Sequence, residues 1–384
     1  MKFKKILFFV FVMVFVVTFS VIGTSCKTTT STTAAAETTT TAAAETTTAT
    51  TAAETTVATT SAVKKYKIAL SNSFMGNDWR QEMEKVAAEV AKKEPFASKC
   101  TLDIINCDNT PEAQSDSIDA LIKQGYNAIL VDASSSDALN PVISRAKDAG
   151  IVVVSFDQVV TSDLAWKVET DWSKLPKILA LYIAKAINGK GNVVVDRGLP
   201  GAPISKALQD GAESVFKTYP DIKIVAYYDG QYAQGPSLQG MNNVLASNPK
   251  IDAVYTQGYT TPVIQALQAA KHPMVPMSGF DYNGDMLMVL KNNVKAIMAN
   301  NIPGLSAIAL KTAIDILDGT PPEKHIVVDP MFLATDTSID VGVPLVKIEL
   351  GKTCWEDKPD GFDWPVLPEN FPVQLTPEEA AVMK

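Results

Sequence analysis

Histidine is nearly absent from this chain: there are two in 384 residues, His272 and His325. Neither has a second histidine or a cysteine at metal-ligand spacing, so no metal site is expected. No Gly-x-Ser-x-Gly elbow, no phosphate-binding P-loop and no Gly-x-Gly-x-x-Gly fingerprint occurs. The usual signatures of serine hydrolases, nucleotide hydrolases and dinucleotide enzymes are therefore missing, and no cofactor is implied. Basic clusters are missing too. The formal charge is −8, and removing the three leader lysines takes it to −11. So acidic a chain is a poor partner for nucleic acid. Cysteine is scarce, with Cys26, Cys100, Cys107 and Cys354 only. Setting Cys26 aside leaves an odd number. The extended run Thr101 to Asn106 would hold Cys100 and Cys107 too far apart to bridge. No disulfide framework is expected.

What is present begins with a leader. Lys2, Lys4 and Lys5 precede an apolar run from Ile6 to Ile22, then Gly23-Thr24-Ser25-Cys26. A basic start, an apolar stretch and small residues before a cut describe a secretory signal over 1–25. A cysteine at the cut describes lipid attachment at Cys26. The position three residues before it, usually leucine in such signals, is Gly23. The rival reading is an uncleaved span, for which Ile6 to Ile22 is about the shortest usable length. Lys27 to Ala62 then holds only Lys, Thr, Ser, Ala, Glu and one Val. That stretch cannot bury a core, and 26–63 reads as a flexible tether of roughly 30–36 Å r.m.s. length. The body is thus placed outside the cytoplasm, anchored to a membrane.

About 320 residues remain, too many for one ordinary core, so two domains are expected. From Lys64 the pattern alternates. Strand-like runs lie at Tyr66–Leu70, Leu102–Asn106, Ala128–Val131 and Ile151–Phe156. Helical patterns fall between them at Asp78–Lys93, Pro111–Lys123 and Asp137–Ala149. The alternation repeats, with strands at Asn192–Val195, Ile222–Tyr227, Ala253–Thr256, Met274–Ser278 and Val294–Met298. Its helices lie at Lys174–Ile187, Ile204–Thr218, Pro236–Ala246, Pro262–Ala270 and Pro303–Leu317. Strands alternating with helices imply an α/β class with parallel sheets. Two open sheets fit better than a single (β/α)8 barrel. Beyond Gly351 the chain is rich in Pro and Trp with little periodicity, and 351–384 reads as a surface tail.

In open α/β sheets ligands sit beyond the carboxyl ends of the strands. Those ends carry Ser71 to Arg80, Asp108-Asn109, Asp132 with Ser134 to Ser136, Asp157-Gln158, Asp196 to Gly201, Asp229 to Tyr232, Gln257 to Tyr259 and Gly279 to Asn283. Carboxylates, amides and aromatics with few cations suit a neutral, hydroxyl-rich ligand. Ionised Asp accepts strong hydrogen bonds from hydroxyls, amides both donate and accept, and aromatic faces cover apolar C–H surface. Plainer roles compete: Asn77 or Asp78 as a helix cap, Asp132 as a cap for the helix from Asp137, and Trp79 as core. Asp157 and Asp281 each follow a buried strand and precede no clear helix, which favours the pocket. A facing carboxylate pair would also permit glycoside hydrolysis, but no acid–base constellation is evident.

From about Lys65 to Val346 the chain resembles the sugar-binding proteins of bacterial ABC importers, in the branch of ribose- and galactose-binding proteins. The resemblance rests on Phe74 and Trp79 after the first strand, Val153-Val154-Ser155-Phe156-Asp157, Gly198-Leu199-Pro200-Gly201 before a helix, and Ser278-Gly279-Phe280-Asp281. It implies two Rossmann-like lobes joined by a three-crossing hinge with ligand in the cleft. It further implies Asp157 and Asp281 as polar anchors and Phe74, Trp79 and Tyr232 as stacking residues. Asn77 joins the candidates from the same turn as Phe74 and Trp79. Lys206 stands where an Arg is common, Gln158 likewise, and Gln257-Gly258-Tyr259 replaces Gln-Asn-Asp. Asn301, or Asn300, stands where a Gln is usual. The expected lobes are 64–169 with 302–333, and 170–301 with 334–350. The implied function is capture of a small neutral sugar by a monomer, not an enzyme, and delivery to an ABC permease. A sugar-sensing module and an extracellular glycoside hydrolase are the alternatives.

Overall fold

A computed structural model describes residues 65–248 and 250–382. The leader, Cys26 and the Thr/Ala-rich stretch lie outside the described residues. The first sheet is built from β1 (Tyr66–Asn72), β2 (Cys100–Asn106), β3 (Ala128–Asp132), β4 (Val152–Phe156), β5 (Trp166–Thr170) and β11 (His325–Val328). Its order is β11-β5-β4-β3-β1-β2, parallel throughout. The second contains β6 (Lys190–Asp196), β7 (Asp221–Tyr228), β8 (Ala253–Tyr255), β9 (Met277–Phe280), β10 (Ala296–Asn300), β12 (Met331–Ala334) and β13 (Val346–Lys347). Its order is β13-β12-β10-β9-β8-β6-β7, with β12 antiparallel to β10. Each sheet doubles back beside its first strand, leaving a crevice at the carboxyl ends of the central strands.

The helices follow from apolar spacing and caps. In α1 (Asp78–Ala91), Met83, Val86, Ala87 and Val90 are fully buried, as their one-face spacing requires. The Asn77 side chain accepts from the Arg80 N–H and caps it. Short α2 (Phe96–Lys99) follows, and α3 (Pro111–Lys123) starts on a Thr110 cap with Pro at its first turn. Next come α4 (Asn140–Asp148), α5 (Leu175–Ala186), α6 (Pro203–Phe216), α7 (Gln234–Ser247), α8 (Thr261–Ala269), α9 (Asn283–Lys291), α10 (Leu305–Leu317) and α11 (Pro377–Ala380). The chain passes between sheets three times, at 171–174, at 301–304 and at 329–330.

Several expectations need correction. The third passage comes before Met331, not near Leu333-Ala334, because β12 pairs with β10 of the second sheet. Strand β5 and helix α9 were not foreseen, and α9 begins two residues after Asp281. Strand β9 starts at Met277, later than Met274, because Pro273 and Pro276 have no N–H to donate to a ladder. Residues 351–382 are not a surface tail. Phe362, Val366, Leu367, Phe371, Val373, Leu375, Ala380 and Ala381 are buried in the first lobe's core beside Phe96 and Val90. Phe371 stacks on Phe96 at 5.9 Å. Burial of aromatic surface, not periodicity, holds this segment. Among the described residues Cys100, Cys107 and Cys354 form no disulfide.

The C-terminal segment should therefore carry real stability. Phe362→Ala should cost about 3–5 kcal/mol in urea unfolding, the usual range for a fully buried Phe. A loss below about 1 kcal/mol would show that the segment adds little to the core.

Candidate ligand-binding cleft

The carboxyl ends of the strands from both sheets converge on one cleft. It is lined by Phe74, Asn77, Trp79, Arg80, Asp157, Gln158, Tyr232, Asp281, Tyr282 and Asn301, among others. A larger hollow of about 730 Å³ lies beside α8 and α9, lined by Tyr259, Asp285, Met288 and Leu350. It has no residue from the first sheet's strand ends, so its polar groups do not converge as those of the cleft do.

The first lobe's side of the cleft is organised by Arg80. Its guanidinium is buried and ion-paired with Asp132, and it lies 3.9 Å from Asp157. It also donates to Asn72 Oδ1 at 2.6 Å. Burial pushes the Asp132 and Asp157 carboxyls up, and the Arg80 charge works against that in both. Asp157 sits in the left-handed region at φ 54°, a strained setting for an aspartate that aims its side chain into the cleft. Asp132, expected as a helix cap, is instead this buried ion-pair partner. The sequence signal for Arg80 was its place on the apolar face of α1, spaced i, i+3, i+7 with Met83 and Ala87. An arginine there requires a buried partner.

Trp79 is both core and cleft. Its ring is buried, and Nε1 donates to the Asn301 carbonyl at 2.5 Å. Asn301 lies in the second passage between lobes. Its amide donates to Asp157 Oδ1 at 3.2 Å and accepts from Thr170 Oγ1 at 2.5 Å. Asn300, the alternative, donates to Asp281 Oδ2 at 2.7 Å from one residue away. Asn77 lines the cleft while its side-chain oxygen serves as the cap of α1.

On the second lobe, Gln231 and Tyr232 are both left-handed, at φ 54° and 48°. This turn brings the Tyr232 ring to the cleft. Its hydroxyl meets Ser205 Oγ at 2.9 Å and donates to Gln257 Oε1 at 3.1 Å. Gln257 also donates to the Ser205 carbonyl at 3.0 Å. Gln257 is thus not a lining residue; it stands behind the ring and fixes it. Lys206 is likewise misplaced by the sequence reading. It is exposed and paired with Asp210 one turn along α6, because Ile204 and Ser205 take the inward positions. Asp196 is structural, accepting from the Gly198 and Gly230 N–H groups at 2.9 and 2.8 Å.

Asp281 ends the inventory. It is fully buried at the end of β9, and its Oδ1 has no hydrogen-bond partner among the described residues. Tyr282 beside it stacks on Tyr259 at 4.7 Å. Asn109, Leu199, Phe280 and Tyr282 stand at strand ends in the sequence but were not singled out as ligand contacts, and Ile204 and Asp363 were missed altogether. For the last no signal existed, since it lies far beyond the alternating pattern. Chemically, the cleft offers carboxylate and amide groups between aromatic faces, with one buried cation. That arrangement binds hydroxyl groups.

Burial pushes the carboxyls of Asp281 and Asp285 up to about 7 each. An unfolded aspartate titrates near ~3.9. Between those values the unfolded chain releases the proton while the native protein keeps it, so stability falls as pH rises. The unliganded protein should melt at a higher temperature at pH 5 than at pH 7.5, and Asp281→Asn should shrink the difference. A melting temperature that rises across this window, or an unchanged slope in the variant, would contradict the assignment.

Residues 68–321 match the model of the periplasmic binding protein domain. The chain is 28% identical over 256 residues to a xylitol-binding protein of Mycolicibacterium smegmatis, covering 64% of this chain and 72% of that one. It is 26% identical over 271 residues to the ribose import binding protein of Bacillus subtilis, covering 68% and 85%. Among solved structures it is similar to an ABC transporter solute binding protein from Thermobispora bispora. That match has 30% identity and a TM-score of 0.64, and covers 70% of this chain and 84% of the other.

Proposed function

The chain belongs to the periplasmic binding protein family, and we propose that its cleft captures a small neutral sugar or polyol for an ABC importer. The observation that carries this reading is the cleft itself. Buried Asp157 and Asp281 come from opposite lobes, beside Phe74, Trp79 and Tyr232, and Arg80 is already engaged by two carboxylates. An anionic ligand would meet mostly carboxylates there. A hydroxyl-rich neutral one meets acceptors, amide donors and ring faces. The relatives named above, a xylitol-binding and a ribose import binding protein, handle ligands of this chemistry.

Phe74, Asn77, Trp79, Asp157, Gln158, Tyr232, Asp281 and Asn301 are the ligand contacts in this reading, with Arg80 added and Lys206 and Gln257 removed. The lobes close about the three passages and bury the ligand, and the closed monomer is what the permease recognises. Cys26 carries acyl chains that hold the body at the membrane, two chains giving stable anchoring where one would not.

Titration calorimetry against pentoses, hexoses and polyols should find one ligand per chain. Asp281→Ala should weaken that ligand by about 2–3 kcal/mol, the scale of hydrogen bonds to a charged group. Unchanged affinity would remove Asp281 from the site, and a folded protein that binds nothing in the panel would overturn the sugar reading. Separately, mass spectrometry of the native protein should find acylated Cys26; an unmodified Cys26 would end the anchor model alone.

A further inference from the structure

The family match ends at residue 321, yet one cleft residue comes from beyond it. Asp363 belongs to the C-terminal segment and is 1% exposed. We propose that Asp363 is a ligand-binding group, so that the C-terminal segment completes the sugar site with a carboxylate opposite Asp281. The inference rests on the sugar-binding reading and names a further recognition element for that ligand.

Three observations carry it. First, Asp363 is held in place by its own backbone. Its N–H donates to Glu82 Oε2 of α1 at 2.9 Å. One residue earlier, the Phe362 carbonyl accepts from the Asn283 N–H of α9 at 2.9 Å. The Phe362 ring stacks on Trp364 at 5.8 Å. The backbone is thus pinned to both lobes within two residues, which leaves the side chain free to face the cleft.

Second, the carboxylate is buried without a partner. Among the described residues Asp363 Oδ1 has no hydrogen-bond partner, and neither has Asp281 Oδ1. Among the described residues neither makes an ion pair, nor does Glu82. Native structures rarely leave such atoms orphaned, because an unpaired buried acceptor forfeits its hydrogen bonds to water. Both acids line the same cleft. Two open acceptor atoms there match a ligand that brings hydroxyl donors. Burial and the neighbouring carboxylates of Asp281 and Glu82 also push the Asp363 carboxyl up, a cost that hydroxyl donors offset.

Third, the segment cannot be displaced cheaply. The Val366 carbonyl accepts from the Gly304 N–H at 2.9 Å in the second passage between lobes. A Cβ at position 304 would stand 2.1 Å from that carbonyl oxygen, so the glycine is required for the close approach. The segment is seated against the passage itself, next to Asn301.

The test is calorimetric, on the full mature chain, with D-ribose, D-xylose, D-galactose, xylitol and myo-inositol as probes. Asp363→Asn and Asp363→Ser should each weaken the sugar bound by the wild type at least tenfold. Their unliganded melting temperatures should equal or exceed that of the wild type, since a crowded charge is removed. Glu369→Gln, exposed in the same segment, should bind within twofold of wild type. If both Asp363 variants fold and bind within twofold, the inference fails while the sugar reading stands. If the folded wild type binds none of the five, the sugar reading fails and takes the inference with it. Melting curves separate either outcome from simple unfolding, and the serine variant serves should the asparagine variant misfold.

Discussion

The cleft depends on one buried cation. Arg80 sits on the inward face of α1, where a charge is tolerated only with compensation close by. Asp132 from the end of β3 and Asp157 from the end of β4 provide it. The arginine therefore ties together α1 and two neighbouring strand ends of the first sheet. Removing it would leave two carboxylates buried together. Its presence lets Asp157 remain in a dry site, and Asp157 in turn accepts from Asn301 of the passage between lobes. A single guanidinium thus sets the charge of one wall of the cleft and, through Asn301, the position of the chain that leads to the other.

The repeated strand–helix alternation makes the two sheets legible in the sequence alone. Hydrophobic runs such as Ala128–Val131 and Val152–Phe156 have no other use than as central parallel strands. The rule that ligands sit at strand ends then brought Phe74, Trp79, Asp157, Tyr232 and Asp281 to one place, and the family resemblance added Asn301. What it could not do was separate a lining side chain from the one behind it. Gln257 and Lys206 failed for that reason: one residue of rotation along α6, or one layer of depth behind Tyr232, decides the matter, and periodicity resolves neither. Arg80 and Asp363 were hidden differently. Each depends on a partner distant in sequence, Asp132 and Asp157 for the first, Glu82 for the second.

The short strands toward one side of each sheet were illegible for a related reason. Strands β5, β11, β12 and β13 are five residues or fewer, and their burial follows no common pattern, from the mostly buried β12 to the exposed β13. Such segments are defined by the strand they pair with more than by their own pattern. That is also why the last passage between lobes was misplaced: the assignment of Met331–Ala334 follows from its pairing with β10.

The path of the last thirty residues bears on how the molecule moves. The described chain starts with β1 in the first lobe, and its end returns there: Glu379 pairs with Lys93 at the end of α1. On its way the segment is also hydrogen-bonded to Asn283 and Gly284 of the second lobe. Three covalent passages and one non-covalent strap then join the lobes. In the closure proposed above, the bonds of that strap to α9 would limit how far the second lobe can swing from the first.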